Sequence, residues 1–125
     1  MDAKDLMIGD WVREKGSKLP PLRYTGEIFH FKPIEGEPYI RLRCMWNKTE
    51  GLDIPETYIE PIPLTTEILQ KNFPTPEEIV WWPLNDGSFR VEMQDDTHLI
   101  IGKYNYVHEL QHALRLFGKN GEIEL

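Results

Sequence analysis

Turn-forming residues divide the first half of the chain into short segments, and their spacing constrains the fold more than any other feature. Pro20-Pro21 and the run from Lys32 to Pro38, which contains two prolines and Gly36, exclude regular structure where they occur. Two further prolines keep the segment Tyr58–Leu64 extended, because proline fits neither a helix interior nor a central strand. The spacing therefore predicts a series of short strands between residues 6 and 63.

The clearest of these strands is predicted over residues 39–46. Apolar and polar side chains alternate there, and a period of two is typical of a strand with one buried face. The alternation predicts that one set of side chains lies in the core and that the arginines between them are not buried. The expected core residues are Ile40, Leu42, Cys44 and Trp46, and the arginines are Arg41 and Arg43.

The second half of the chain begins with a predicted short helix. It starts at Thr65 or Thr66, where a hydroxyl can cap the first turn, and it stops before Pro74. An edge strand is predicted over Ile79–Leu84. The turn Asn85–Ser88 should then join it to an antiparallel partner, because Asp86-Gly87 suits the positive-φ positions of a hairpin.

A final helix is predicted over Tyr106–Phe117. Asn105 is the expected N-cap, and Gly118 occupies the position where a left-handed residue ends a helix. At about 100° per residue, four large apolar side chains form one stripe, and the two histidines fall well outside it. The stripe of Val107, Leu110, Leu114 and Phe117 is expected to be buried, with His108 and His112 at least partly exposed.

The order of motifs in the first half resembles small SH3-like β-barrels. Gly9-Asp10-Trp11-Val12 is followed by Gly26-Glu27-Ile28 and then by the strand from Tyr39 to Arg43. The resemblance implies an N-terminal SH3-like β-barrel. With the elements predicted for the second half, the expected fold is α+β, with the barrel followed by a small antiparallel sheet packed with a C-terminal amphipathic helix. The expected lobes are residues 1–64 and 65–125, acting as one cooperative unit.

A second resemblance covers more of the chain. The segments Ile59-Glu60-Pro61-Ile62-Pro63-Leu64-Thr65 and Tyr106-Val107-His108-Glu109-Leu110-Gln111-His112-Ala113-Leu114-Arg115-Leu116 are similar to a family of small uncharacterised bacterial and prophage-type proteins. The loop Lys32–Pro38 departs from that pattern. The resemblance implies that the two halves belong together as one unit, it is consistent with a protein encoded by a mobile element, and it supplies no activity, ligand or catalytic residue.

Charge and cysteine content narrow the class of partner. The formal net charge is −7, which argues against broad binding to nucleic acid, because phosphate contacts need cationic surface. Residues 1–63 are closer to neutral, with nine Lys or Arg against eleven Asp or Glu. The chain has one cysteine, and its acidic start contains no apolar stretch like that of a signal peptide. It also has no apolar run of about 20 residues, the length needed to cross a bilayer. These features favour a cytoplasmic protein that does not enter membranes.

The most suggestive catalytic motif is His108-Glu109-Leu110-Gln111-His112, which matches H-E-x-x-H. On a helix, two histidines four residues apart can bind Zn²⁺ while the glutamate activates water. The motif lacks an evident third ligand, because only thirteen residues follow His112 and nothing in the spacing of His30 or His98 selects them. The sequence therefore assigns no catalytic, cofactor-binding or metal-binding residue.

Three other features have structural interpretations that outweigh functional ones. Cys44 is expected in the core rather than as a nucleophile. Asp95-Asp96 is expected at a solvated hairpin tip rather than at a cation. Trp81-Trp82 places one indole on each face of an edge strand, where packing against the C-terminal helix is expected; an indole left exposed there is a candidate contact for a protein partner.

These observations favour a non-catalytic interaction or accessory module that binds a protein partner, with a homo-oligomer also open. Two alternatives remain. The first is a metal-dependent hydrolase that uses the histidine motif. The second is a nucleic-acid-associated barrel that uses Arg13, Arg41 and Arg43.

Overall fold

The computed structural model describes residues 1–125, and it confirms the α+β class, with eight strands and two α-helices. All strand pairs are antiparallel and form two separate sheets. The chain divides into two compact units, Met1–Ile62 and Pro63–Leu125. No helix is both long enough and apolar enough to cross a membrane.

The first unit contains a five-stranded sheet in the order β4-β3-β2-β1-β5. The sheet is open, since no pairing joins its two edge strands, β4 and β5. One 3-10 turn, Ala3–Asp5, precedes the sheet, and another, Glu56–Tyr58, joins β4 to β5. The strands are β1 Trp11–Glu14, β2 Leu22–Phe31, β3 Tyr39–Met45, β4 Gly51–Pro55 and β5 Ile59–Pro61.

A bulge at Gly26 bends the longest strand. The β2–β3 register shifts between Tyr24 and Ile28, and Gly26 has a φ of +90°. A Cβ at this position would lie 2.7 Å from a side-chain carbon of Ile8. Glycine is therefore required both by the positive φ and by the close approach of Ile8.

The alternation along β3 is confirmed at its centre and weakens at its ends. Leu42 and Cys44 are fully buried, whereas Ile40 and Trp46 are half-buried and pack against the edge of the core. The core of this unit also contains Leu6, Val12, Leu22, Tyr24, Ile54 and Ile59.

The prediction for the two β3 arginines holds only in part. Arg41 and Arg43 are half-buried rather than freely exposed. Their guanidinium carbons lie over aromatic rings of β2, at 4.5 Å from the Phe31 centroid and 5.2 Å from the Phe29 centroid respectively. Cation–π contacts bring each arginine against the sheet surface while leaving it on the outer face.

The second unit contains a three-stranded sheet in the order β6-β7-β8, with two helices. Helix α1 begins as predicted, because the Thr65 hydroxyl accepts a hydrogen bond from the Ile68 amide at 3.2 Å. The elements of the second unit are α1 Thr66–Asn72, β6 Ile79–Pro83, β7 Phe89–Gln94, β8 Leu99–Tyr104 and α2 Val107–Leu116.

The predicted turn joins β6 to β7 and confirms the hairpin. Its conformation differs in one detail, because Gly87 has a positive φ and Asp86 does not. The Asp86 side chain instead accepts hydrogen bonds from the amide and hydroxyl of Ser88 and pairs with Lys103. Hydrogen bonds hold the pKa of the Asp86 carboxyl well below its usual range. The bond from the Lys103 ammonium has the largest effect, and those from the Ser88 hydroxyl and amide come next.

Helix α2 is one residue shorter at each end than predicted, and Gly118 terminates it as expected. The N-cap is Tyr106 rather than Asn105, because the Glu109 carboxylate reaches back to accept both of their amides. At the other end Gly118 has a φ of +88°, and the amides of Gly118 and Lys119 return to the carbonyls of Arg115 and Leu114. This double hydrogen bond is a Schellman motif.

Candidate functional site

The H-E-x-x-H motif lies on α2, but its environment differs from the prediction. Val107, Leu110, Leu114 and Phe117 are buried as expected, and His112 is partly exposed. The prediction for His108 is wrong, since only 8% of its surface is accessible. The buried face of α2 is therefore wider than the stripe formed by its four large apolar side chains.

Local packing explains the burial of His108. Its ring stacks on Tyr106 at a centroid distance of 5.9 Å and meets the edge of His112 at 5.6 Å. On a neighbouring part of the helix, Gln111 is buried and donates to the Gly121 carbonyl in the C-terminal tail. The C-terminal tail at Gly121 and the N-cap residue Tyr106 therefore cover faces of α2 that a helical wheel of the sequence predicts to be exposed.

The motif does not assemble the groups of a zinc hydrolase. Catalytic zinc requires three protein ligands and a free carboxylate near the bound water. No set of three His, Cys, Asp or Glu side chains lies close enough to hold a metal ion. The Glu109 carboxylate is bound to the amides of Asn105 and Tyr106 at 2.8 and 3.0 Å, so it stabilises the start of the helix.

The three arginines proposed for nucleic-acid binding lie on the outer face of the first sheet, and two of them are ion-paired. Arg13 contacts Glu60 at 2.7 Å, and Arg43 forms a two-point pair with Asp53. The hydrogen bond from Arg43 lowers the pKa of the Asp53 carboxyl below its ordinary value. An arginine that is already paired with a carboxylate must give up that partner before it can neutralise a phosphate.

Cys44 and the Asp95 turn have structural roles. Asp95 accepts amide hydrogen bonds from Thr97 and His98 at 2.8 and 2.7 Å, which closes the hairpin tip between β7 and β8. Cys44 is fully buried, and burial, with a smaller contribution from the Asp53 charge, raises the pKa of its thiol to about 12.

We expect the Cys44 thiol to resist alkylation in the native protein at neutral pH. The thiolate is the reactive form, and both its burial and its raised pKa suppress it. Labelling by a maleimide followed by mass spectrometry should therefore proceed at the rate of unfolding and become fast in denaturant. Rapid stoichiometric labelling without denaturant would place Cys44 outside the core.

Of the two tryptophans, Trp82 is the exposed one. Trp81 is half-buried, donates its indole N–H to the Phe73 carbonyl at 3.1 Å and meets the edge of Phe89. Trp82 points to the opposite face, where its ring lies 5.6 Å from the Arg90 guanidinium. Trp82 is therefore the member of the pair available for contact with a partner.

A concave site that the sequence did not suggest lies in the first unit. The start of β3 and the 3-10 turn after β4 form its walls, and its volume is about 440 Å³, within the usual range for ligand pockets. We call it the tyrosine groove. Its lining residues are Pro38, Tyr39, Ile40, Pro55, Glu56, Thr57 and Tyr58.

The walls of the tyrosine groove are held by the fold. Tyr39 stacks on Phe31 at 5.6 Å with an interplanar angle of 14°, and its hydroxyl accepts from Arg41 at 2.9 Å. The 3-10 turn is tied at both ends, by the Ala3 amide to Glu56 at 2.7 Å and by the Lys15 amide to the Tyr58 carbonyl at 2.7 Å. The groove is therefore preorganised.

The Tyr58 side chain differs from Tyr39 because it has no intramolecular partner. It is 55% exposed and makes neither a hydrogen bond nor a ring contact. An exposed tyrosine beside prolines offers a flat apolar surface with a polar end, a composition common at protein contact sites. Among the lining residues, Glu56 is the only charged one, so the groove carries negative charge.

Sequence reasoning missed this groove because its walls come from segments that were interpreted separately. Tyr39 belongs to the predicted strand, and Tyr58 begins a segment predicted only as extended. The β3–β4 pairing places Pro55 opposite Arg41 and brings the two tyrosines to one site. Comparison with known proteins adds no assignment, since no family model, curated protein or solved structure matches the chain.

Proposed function

We propose that the chain is a non-catalytic interaction module whose tyrosine groove binds an extended, proline-containing peptide. The observation that carries the proposal is a preformed groove in which Tyr58 is 55% exposed and its side chain makes no hydrogen bond and no ring contact within the protein. Aromatic grooves bind polyproline II segments because such segments are already extended and lose little entropy on binding.

The chemistry of the lining residues specifies the peptide further. Prolines three positions apart lie on the same side of a polyproline II helix, about 9 Å apart along its axis, and can pack against successive rings. Glu56 in the groove and Glu37 beside Pro38 favour a basic residue next to the prolines. The proposed ligand is therefore a short segment with two prolines and a flanking arginine.

The strand order supports the SH3-like fold as part of this proposal. The antiparallel order β4-β3-β2-β1-β5 pairs the first and last strands of the unit, and a 3-10 turn separates β4 from β5. Within the same proposal, the chain is a cytoplasmic accessory protein of a mobile element, as its resemblance to prophage-type proteins implies.

The two alternatives have less support from side-chain geometry. A hydrolase would require Glu109 to leave the two amides that it accepts at the start of α2. A nucleic-acid-binding surface would require Arg13 and Arg43 to exchange carboxylate partners for phosphates. In the tyrosine groove, packing of a proline against the exposed Tyr58 ring displaces no hydrogen-bond partner of that side chain.

Fluorescence anisotropy with a matched pair of peptides tests the proposal. One labelled peptide carries two prolines three positions apart and a terminal arginine, and the other has alanine in place of both prolines. We expect saturable binding of the first and an affinity lower by about tenfold, or 1.4 kcal/mol, for the second. Equal affinities for the two peptides, or no saturable binding of the proline peptide, would contradict the proposal.

A further inference from the structure

The outer edge of β8 differs from the other sheet edges of the molecule. Four strands lie at an edge, namely β4, β5, β6 and β8. The first three end in a proline (Pro55, Pro61 and Pro83), whereas β8 contains none. Proline protects an edge from pairing because it lacks an N–H group. The edge of β8 lacks this protection.

The backbone groups of β8 that face outward are fixed by its pairing with β7. Asp95 donates its amide to His98 at the hairpin tip, and Gln94 donates its amide to Glu78 on the β6 side. Because N–H and C=O groups alternate between the two sides of a strand, Met93 pairs through hydrogen bonds with Ile100. It follows that Leu99, Ile101 and Lys103 direct their backbone groups toward the open edge.

The same three residues place their side chains on the outer face of the sheet. Leu99 is 58% exposed and Ile101 is 51% exposed. The charged side chain that could guard the edge, Lys103, is ion-paired with Asp86. The edge therefore combines free backbone groups with exposed branched apolar side chains, the composition that favours pairing with another strand.

We propose that β8 pairs antiparallel with β8 of a second copy of this chain, about a two-fold axis at Ile101. This register makes Ile101 and its counterpart a hydrogen-bonded pair and sets Leu99 opposite Lys103 of the other copy. Every outward-facing backbone group then has a partner, no like charges lie opposite one another, and the two sheets become one of six strands. Because each β8 strand satisfies the outward-facing backbone groups of the other copy, this pairing requires no other protein.

The length of the edge sets the strength of the association. Six residues at about 3.4 Å each span about 20 Å, and an interface of this length is smaller than the roughly 800 Å² per partner of a standard interface. The dimer is therefore reversible, and its population rises with protein concentration.

Sedimentation velocity over a range of concentrations tests the association, with two lysine substitutions as a matched pair. Ile101→Lys places like charges opposite each other at the two-fold axis. Leu116→Lys adds the same charge at a 79% exposed apolar position on α2. We expect the average mass of the wild type and of Leu116→Lys to rise with concentration, and that of Ile101→Lys to remain monomeric.

Cysteine cross-linking tests the register and does not depend on the folding of the lysine variant. Hydrogen-bonded antiparallel pairs have Cα atoms about 5.5 Å apart, within the range that a disulfide spans. Under mild oxidation, Ile101→Cys should form a covalent dimer and Leu99→Cys should not, while buried Cys44 stays unreactive. A constant monomeric mass of the wild type, association that survives Ile101→Lys, or absence of cross-linking in Ile101→Cys would each overturn the proposal.

Discussion

Replacing Leu110 by alanine is expected to destabilise the second unit by about 2–5 kcal/mol. Leu110 is completely buried on α2, so the substitution removes three buried carbon atoms and leaves a cavity in a close-packed interior. The other buried apolar side chains around this position lie on the same helix or at its C-cap. They are Val107, Ala113, Leu114 and Phe117.

The matched control is Leu116→Ala on the same helix. Leu116 is exposed, and the same chemical change there should alter stability by no more than about 0.5 kcal/mol. Urea denaturation followed by circular dichroism gives both values. If the two variants lose similar stability, the rotation of α2 about its axis is not the one described.

Replacing Tyr58 by alanine is expected to weaken peptide binding by about thirtyfold, the change that corresponds to a contact of about 2 kcal/mol. The Tyr58 side chain makes no hydrogen bond and no ring contact within the protein, so its ring is available to a ligand and its removal leaves no buried group unsatisfied. The free energy of unfolding should therefore stay close to that of the wild type.

The control for Tyr58→Ala is Trp82→Ala, which removes another exposed aromatic ring outside the groove. Anisotropy titrations with the same proline peptide should show wild-type affinity for this variant. Loss of binding in both variants would point to a nonspecific effect of aromatic surface, and retained binding in Tyr58→Ala would exclude the groove as the site.

Local signals in the sequence located β3, β6 and both helices to within one or two residues of their bounds. Thr65 caps α1 and Gly118 ends α2, because each of these signals depends on one residue and its nearest neighbours. Period-two alternation located Leu42 and Cys44 in the core. These features need no knowledge of which segments meet.

Features that depend on contacts distant in sequence were not predictable. The burial of Gln111 depends on the C-terminal tail, which no helical wheel includes. The half-burial of Arg41 depends on Phe31 across the sheet. The tyrosine groove depends on the β3–β4 pairing together with the 3-10 turn at Glu56–Tyr58. In each case the local pattern indicates the element itself but not the distant segment that packs against it.

Mapping of backbone amide shifts by NMR during a titration with the proline peptide tests the central claim most directly. The account predicts that the shifts concentrate at Tyr39, Ile40 and the turn Glu56–Tyr58, that they saturate, and that the alanine peptide produces much smaller ones. Shifts that concentrate instead on the outer sheet face at Arg13 and Arg43, or that are the same for both peptides, would contradict it.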